Sequence, residues 1–177
     1  MSSFNLPGYM EAKAEALTSF REKLRSPEAA PTPLSVTVRV AGGSGARPVR
    51  VREFTIVTDA LPPLAGNNLG PTAPELLLSA LSSCLAHSYI VVGIKHGLVY
   101  RSLELEVRGC IDYRGTLEVD PAVPVPPTGI TYEARIDADA TPEQLEAVRR
   151  DVERTCPIFQ ALMQPMPVEG RVVRPAN

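Results

Sequence analysis

Two cysteines in contrasting surroundings are the residues of this chain best suited to chemistry. Cys84 lies within the longest uncharged stretch, residues 76–94, and Cys156 lies between Thr155 and Pro157, just after a charged segment. A thiol within a helix and a second thiol at a break in the chain suit a two-cysteine redox cycle, in which the first sulfur attacks and the second resolves. This interpretation requires that folding bring the two Cα atoms within about 7 Å of each other.

The reactivity of Cys84 depends on its surroundings. Free cysteine often packs as a small hydrophobic residue, so a purely structural role for Cys84 stays open. A buried thiol has a raised pKa and reacts poorly unless a cation lowers it, so a working Cys84 needs a positive partner, for which arginine is the best candidate. On a helix, His87 and Ser88 lie near its sulfur. The pKa of Cys156 is left open, because the preceding helix disfavours a thiolate and the following helix favours one.

The remaining cysteine and the histidines indicate structural roles. Cys110 lies in an alternating strand pattern and is predicted to be structural. Cys84 and His87 have the spacing of half a zinc site, but none of the other cysteines and histidines completes a zinc spacing. We therefore predict no metal and no bound cofactor, and we interpret His87 as a core histidine.

Glu75 has two possible roles. Thr72 and Glu75 have the spacing of a capping box at the start of a helix, which predicts a structural role for the carboxylate. A catalytic role is also open. Nine residues along an ideal helix correspond to about 180° of rotation and about 13 Å of rise, so Glu75 cannot touch Cys84 of its own helix. If Glu75 takes part in catalysis, it acts on the thiol of another subunit.

Composition limits the class of protein. The length of 177 residues indicates one domain. The formal net charge of −2 is too small to indicate a nucleic-acid or membrane partner. The N-terminus has no basic region followed by an apolar run, so we expect a cytoplasmic protein with reduced thiols. Residues 76–94 are long enough to span a membrane, but the serines and the histidine among them favour a soluble domain.

The hydrophobic pattern predicts an α+β fold rather than a doubly wound sheet. The N-terminal part, residues 1–33, is predicted to be an amphipathic helix and a linker, and residues 34–177 the main domain. Strands are predicted at 34–40, 49–57, 102–113, 130–138 and 168–173. Helices are predicted at 8–26, from Thr72 to an end marked by Gly93 and Gly97, at 142–154 and at 158–163. The central helix is apolar nearly all round, so we expect a second subunit to help cover it.

Three segments resemble the signature of the OsmC/Ohr family, in the right order. They are GNNLGPTAPELLLSALSSCL at 66–85, EVRGCIDYRG at 106–115, and Cys156-Pro157. The resemblance covers roughly residues 34–174. It implies an OsmC-like intertwined α+β homodimer, with antiparallel sheets wrapped around a buried central helix.

The resemblance also implies an activity, the thiol-dependent reduction of organic hydroperoxides. Cys84 is the implied nucleophile that becomes a sulfenic acid, and Cys156 the implied resolving thiol. An external dithiol, lipoyl-linked in relatives, restores both thiols. The family uses an arginine from the first hairpin, for which Arg52 and Arg47 are the candidates, and a glutamate near the start of the central helix, here Glu75.

Two alternatives to a peroxidase stay open. The first is a dimer of the same fold that binds an apolar ligand without peroxidase turnover, which a missing arginine near Cys84 would favour. The second is an interaction protein whose N-terminal helix docks a partner. For a peroxidase, we expect the apolar loop from Leu61 to Leu64 to select apolar substrates.

Overall fold

The fold combines helices with two antiparallel sheets. The structure, a computed structural model, describes residues 5–40 and 42–174. The helices are α1 (Leu6–Leu24), α2 (Ala73–Lys95), α3 (Tyr113–Thr116), α4 (Pro142–Thr155) and α5 (Pro157–Met163). The strands are β1 (Thr37–Val38), β2 (Arg47–Val51), β3 (Phe54–Thr58), β4 (Tyr100–Cys110) and β5 (Thr128–Ala138). The predicted α+β class is confirmed.

A long hairpin of β4 and β5 forms the base of the core. The two strands pair antiparallel, with Leu105 opposite Ala134. Burial alternates along β5, so its apolar side chains face the helices and its charged side chains face outward. Helix α2 packs on β4, and α4 and α5 pack on α2. The buried core consists of Met10, Leu81, Leu85, Tyr89, Val92, Leu98, Tyr100, Val148, Val152 and Cys156.

Local sequence signals set the ends of α2. The hydroxyl of Thr72 accepts from the Glu75 backbone N–H, and the Glu75 carboxylate accepts from the Thr72 backbone N–H, so the predicted capping box is present. The helix ends at Lys95, because Gly97 takes a positive φ of 71° and turns the chain towards β4. The chain then re-enters the core at Leu98 and Tyr100.

Gly93 allows α2 to pack closely on Tyr100. A Cβ atom at Gly93 would overlap the Tyr100 hydroxyl, which itself donates to the Tyr89 carbonyl at 3.1 Å. We expect Gly93→Ala to lower the free energy of unfolding by about 1–3 kcal/mol, because overpacking in this rigid core outweighs the gain in helix propensity. Urea unfolding measures this effect. Ser83→Ala, on the exposed side of α2, is the control and should not destabilise the protein; equal stability of the two variants would contradict the prediction.

Helix α1 packs on the main domain through its first half. Met10 is buried, and its sulfur accepts from the Tyr100 backbone N–H at 3.3 Å. Asn5 caps the helix by accepting from the Gly8 N–H. The second half presents Phe20 and Leu24 to solvent. The N-terminal helix therefore contributes to the core of the domain.

Apolar surface on the small sheet and on α2 is left uncovered within one chain. The small sheet has the order β1-β2-β3, and its exposed apolar side chains include Val38, Phe54 and Ile56. Among the described residues, α2 is one helix long and apolar enough to cross a membrane, a test that core helices of soluble proteins also pass. Of the residues in its most apolar stretch, 33% are buried within this chain. Both surfaces fit the predicted second subunit, which stays a prediction.

Several predicted boundaries are wrong, for identifiable reasons. The predicted strand 49–57 is two strands, because Arg52 takes a positive φ of 53° in a turn. The predicted strand 34–40 pairs only at Thr37 and Val38. Residues 168–173 lie within the described part of the chain and form no strand; the valines there are exposed without a partner strand. Sequence patterning alone cannot supply a partner strand.

Candidate redox site

Folding brings the two cysteines of the predicted redox pair together. The Sγ atoms of Cys84 and Cys156 lie 3.4 Å apart, and both thiols are free. Cys84 lies in the middle of α2 and is half-buried, whereas Cys156 lies between α4 and α5 and is fully buried. The two sulfurs belong to segments 72 residues apart in the chain. A hydroperoxide of modest size can therefore approach Cys84 more easily than Cys156.

The Cys156-Pro157 pair explains how the buried sulfur is positioned. Val148, Val152 and Cys156 follow one another at four-residue intervals, so all three lie on the buried face of α4. Proline disfavours a helical conformation in the residue before it, and Cys156 accordingly takes an extended ψ of 113°. Pro157 then begins α5 at the first helical position, where its missing N–H costs nothing. The break redirects the chain while the sulfur still faces α2.

The surroundings of Cys84 oppose its ionisation within this chain. Burial raises the pKa of the Cys84 thiol, and the neighbouring Cys156 thiol raises it further. The Ile158 backbone N–H and the Ser88 hydroxyl donate hydrogen bonds to the sulfur and lower the pKa, but burial outweighs them. Ile158 lies in the first turn of α5, whose N-cap makes no side-chain hydrogen bond. The Cys84 sulfur therefore accepts a hydrogen bond from a backbone N–H at the N-terminus of α5, which has no side-chain cap.

The two candidate arginines lie on the small sheet. Arg47 begins β2, and its guanidinium donates to the Gly45 carbonyl at 3.2 Å. Arg52 occupies the exposed turn between β2 and β3, with its guanidinium carbon 5.2 Å from the centre of the Phe54 ring. Neither arginine is among the groups that act most strongly on Cys84 in this chain. Within residues 5–40 and 42–174, folding therefore brings the two cysteines together, whereas Arg47 and Arg52 lie on the small sheet and are not among the main influences on the Cys84 thiol.

Glu75 borders a separate small cavity. Its carboxylate accepts from the Thr72 backbone N–H at 2.7 Å and from the Thr72 hydroxyl at 2.8 Å, and these bonds lower the pKa of Glu75. The cavity has a volume of about 200 Å³ and includes Leu61, Leu78 and Cys110 in its wall. Glu75 precedes Cys84 by nine residues on the same helix, about 13 Å along its axis and on its opposite side, so it does not act on the thiol of its own chain.

The sequence analysis missed Asp59, which organises the loop beside this cavity. Asp59 is fully buried, and its carboxylate accepts from the backbone N–H groups of Ala60 at 2.8 Å, Asn67 at 2.9 Å and Leu69 at 3.2 Å. These hydrogen bonds, with a smaller contribution from Arg47, lower the pKa of Asp59. An aspartate at a strand end before a segment rich in proline, glycine and asparagine is the signal that could have identified it.

Asp59 should stabilise the protein in a pH-dependent manner. Its pKa in the folded state lies below the ordinary value of 3.8, so its stabilising effect is fully present above that value and is lost as the pH falls through the folded-state pKa. We expect Asp59→Asn to be less stable than the wild type at pH 7, with the difference shrinking below pH 3.8. Urea unfolding at both pH values measures this. A difference that does not depend on pH would contradict the assigned role of the carboxylate.

The other predicted polar sites have ordinary surroundings. His87 is exposed in this chain, so its interpretation as a core histidine is wrong. Partial burial and, to a smaller extent, Lys13 lower its pKa. His96 contacts Asp151 at 3.0 Å. Cys110 is exposed at the end of β4. Within residues 5–40 and 42–174, no group of three or more histidine, cysteine, aspartate or glutamate side chains could hold a metal ion.

Comparisons with solved structures show which proteins share this fold. An OsmC-like protein from Mycoplasma pneumoniae is 16% identical, with a TM-score of 0.65, and the match covers 76% of this chain and 89% of that chain. An OsmC-like protein of unknown function from Vibrio cholerae is 15% identical, with a TM-score of 0.61 and coverage of 74% and 94%. An organic hydroperoxide resistance protein OsmC from Legionella pneumophila is 11% identical, with a TM-score of 0.55 and coverage of 76% and 91%.

Sequence comparison identifies the family. No curated protein matches the chain. The family model described as OsmC-like protein matches residues 66–170, which is more than half of the chain and includes both Cys84 and Cys156. The structural likenesses have low identity and show the fold alone, and that fold agrees with the family match. The chain therefore belongs to the OsmC-like family.

Proposed function

We propose that this protein is a thiol-dependent peroxidase that reduces organic hydroperoxides. The observation that carries the proposal is the 3.4 Å separation of the Cys84 and Cys156 sulfurs. Cys84 is the accessible member of the pair and Cys156 the buried one, which suits an attacking thiol and a resolving thiol. The name of the Legionella pneumophila protein of the same fold, organic hydroperoxide resistance protein, supports this class of substrate.

The proposed cycle has three balanced steps. The Cys84 thiolate attacks the terminal oxygen of the hydroperoxide, the O–O bond breaks, and the alkoxide leaves as an alcohol after taking a proton, so Cys84 becomes a sulfenic acid. The Cys156 thiol then attacks the Cys84 sulfur, loses its proton and releases the sulfenic oxygen as water, which forms a disulfide. An external dithiol, proposed to be lipoyl-linked, reduces this disulfide and is itself oxidised. A reducing cytoplasm, the proposed location, would otherwise keep both thiols free.

A homodimer supplies what one chain lacks at Cys84. Burial raises the pKa of the Cys84 thiol, so the thiolate needs a cation. Arg47 and Arg52 lie on the small sheet, whose apolar side chains are uncovered, and α2 is only partly covered. Pairing of two chains through these surfaces would bury them and would bring one of these arginines, with Glu75, to the thiol of the other chain.

The cavity beside Glu75 supports a preference for apolar hydroperoxides. Leu61 and Leu78 form part of its wall, and the short helical turn Pro62–Leu64 continues from Leu61. We expect cumene hydroperoxide to be reduced faster than hydrogen peroxide, because the apolar wall gains contacts only with the larger substrate. Initial rates with the two oxidants at equal concentration measure this. Much faster reduction of hydrogen peroxide would refute the role of the apolar wall.

Mass spectrometry after one equivalent of cumene hydroperoxide tests the proposed function. The wild type should form a Cys84–Cys156 disulfide, and Cys156→Ser should retain a sulfenic acid at Cys84 that a dimedone-type reagent traps. Cys110→Ser is the matched control and should form the same disulfide as the wild type, because Cys110 is not one of the two sulfurs that lie 3.4 Å apart. Oxidation confined to Cys110, or no selective oxidation of Cys84, would refute the proposal.

One observation favours an alternative function, the binding of an apolar ligand without turnover. The pKa of Cys84 is raised, and neither candidate arginine is among its strongest neighbours within the described chain. A thiol in that state reacts slowly with peroxides. The rate constant of Cys84 oxidation separates the two functions: a rate near that of free cysteine favours ligand binding, and a rate several orders of magnitude higher favours the peroxidase.

A further inference from the structure

Four side chains beside the redox pair form a hydrogen-bonded cluster that the proposed cycle does not use. Tyr132 on β5 donates its hydroxyl to a carboxylate oxygen of Glu153 on α4 at 2.8 Å. The hydroxyl of Tyr89 on α2 lies 3.4 Å from the hydroxyl of Tyr132. Arg149 on α4 donates to the same carboxylate oxygen at 2.5 Å. We refer to Tyr89, Tyr132, Arg149 and Glu153 as the tyrosine cluster.

The tyrosine cluster connects the segments that carry the two sulfurs. Tyr89 lies five residues after Cys84 on α2, and Glu153 lies three residues before Cys156 on α4. Tyr132 therefore contacts both cysteine-bearing helices from a third element, the strand β5. The Tyr132 side chain therefore helps to fix the position of α4 relative to α2.

The same cluster reaches the far side of the break at Cys156. The side-chain amide of Gln160 on α5 donates to the Glu153 backbone carbonyl at 2.7 Å. The Phe159 ring packs edge-on against the Tyr132 ring, with ring centres 6.3 Å apart. Contacts on both sides of Cys156 thus restrain the joint between α4 and α5.

The contacts of Tyr132 persist across the physiological pH range. Tyr89 is 2% exposed, and Tyr132 is half-buried. Burial raises the pKa of both phenols, and the Glu153 carboxylate favours the protonated form of Tyr132 further. Tyr132 therefore keeps its hydroxyl proton for the hydrogen bond to Glu153.

We propose that Tyr132 is a positioning residue that holds the Cys156 sulfur against Cys84 and thereby sets the rate of disulfide closure. This role rests on the proposed peroxidase function. In the closure step the Cys156 thiol attacks the Cys84 sulfenic acid, the S–S bond forms as the S–O bond breaks, and water leaves. Small losses of alignment between two reacting groups have large effects on such a step. Peroxide attack on Cys84 forms no bond to Cys156, so we expect it to depend much less on Tyr132 than disulfide closure does.

The test compares Tyr132→Phe with a matched tyrosine variant. Tyr132→Phe removes the hydroxyl and keeps the ring that packs on Phe159. Tyr100→Phe is the control, because the hydroxyl of the fully buried Tyr100 also bonds to α2, at the Tyr89 carbonyl, but makes no hydrogen bond to α4 or α5 in the part of the chain described. The free energy of unfolding of both variants is measured first, so that a loss of overall stability can be separated from an effect on disulfide closure.

Stopped-flow kinetics with cumene hydroperoxide give the first readout. We expect Tyr132→Phe to oxidise Cys84 to the sulfenic acid at the wild-type rate and to close the disulfide roughly three- to tenfold more slowly, the effect of one lost hydrogen bond. More sulfenic acid should then be trapped by dimedone. Tyr100→Phe should change neither rate. Equal slowing of closure in both variants, or no slowing in Tyr132→Phe, would overturn the proposal.

Equilibration with glutathione redox buffers gives a readout that needs no peroxide. The effective concentration of the two thiols towards each other should fall roughly three- to tenfold in Tyr132→Phe and stay unchanged in Tyr100→Phe. If the wild type forms no disulfide with hydroperoxide but this difference is found, the peroxidase function fails and the positioning role of Tyr132 stands. If the wild type forms no Cys84–Cys156 disulfide in glutathione buffers, the positioning role fails as well.

Discussion

Cys84→Ser should lower hydroperoxide reduction by a factor on the order of 10³ or more, because the hydroxyl of serine is not ionised at neutral pH and is a far weaker nucleophile than a thiolate. Cys156→Ser should behave differently: the first oxidation of Cys84 proceeds, and turnover then stops because no buried thiol lies 3.4 Å away to resolve the sulfenic acid. Single-turnover and steady-state rates measured on the same samples separate the two effects.

The third cysteine provides the control for this pair of variants. Cys110 is exposed and is not one of the two paired sulfurs, so Cys110→Ser should still form the Cys84–Cys156 disulfide and turn over repeatedly. Cys156→Ser should also accumulate irreversible sulfinic acid under excess oxidant, because its sulfenic acid persists. Steady turnover by Cys156→Ser at the wild-type rate would contradict the resolving role of Cys156.

Removal of the arginine that stabilises the Cys84 thiolate, Arg47 or Arg52, should raise the pKa of the Cys84 thiol. A nearby guanidinium favours the thiolate, so its loss moves the midpoint of thiol reactivity to higher pH and lowers the alkylation rate at pH 7 by roughly ten- to a thousandfold. We expect this result for Arg47→Ala or Arg52→Ala. The pH dependence of Cys84 alkylation by iodoacetamide, measured in a Cys110→Ser background, gives the midpoint directly.

The two arginine variants can be told apart by their stability. Arg47 contributes to lowering the pKa of the buried Asp59, so Arg47→Ala should also weaken the loop after β3. Arg52 lies at an exposed turn, and Arg52→Ala should leave stability nearly unchanged. Arg50→Ala, on the exposed side of β2, is the control for charge alone. If no variant moves the midpoint, the small sheet does not activate Cys84, and the ligand-binding alternative gains support.

Sequence reasoning worked best where one local rule was sufficient. The capping box at Thr72 predicts the start of α2 because its hydrogen bonds involve residues three positions apart. The Cys156-Pro157 pair predicts the break between α4 and α5 for the same reason, since proline constrains its immediate neighbour. Alternation along β5 predicts a strand with one buried face.

Features that depend on distant contacts could not be predicted. The turn that divides β2 from β3 at Arg52 has none of the glycine or asparagine that such turns prefer, so its sequence gives no signal. Val172 is fully exposed although its segment alternates like a strand, because alternation cannot reveal whether a partner strand exists. The tyrosine cluster joins residues 21 and 43 positions apart, a relation that no periodicity encodes.

The position of Cys156 at the joint of two helices has a consequence for the lifetime of the protein. A bond from Cys156 to Cys84 would close a loop between residues 72 positions apart, which by chain entropy stabilises the folded state by about 4 kcal/mol. The oxidised form would therefore resist unfolding and proteolysis more strongly than the reduced form. Molecules that have just met an oxidant and still await their reductant would be the ones that a cell degrades most slowly.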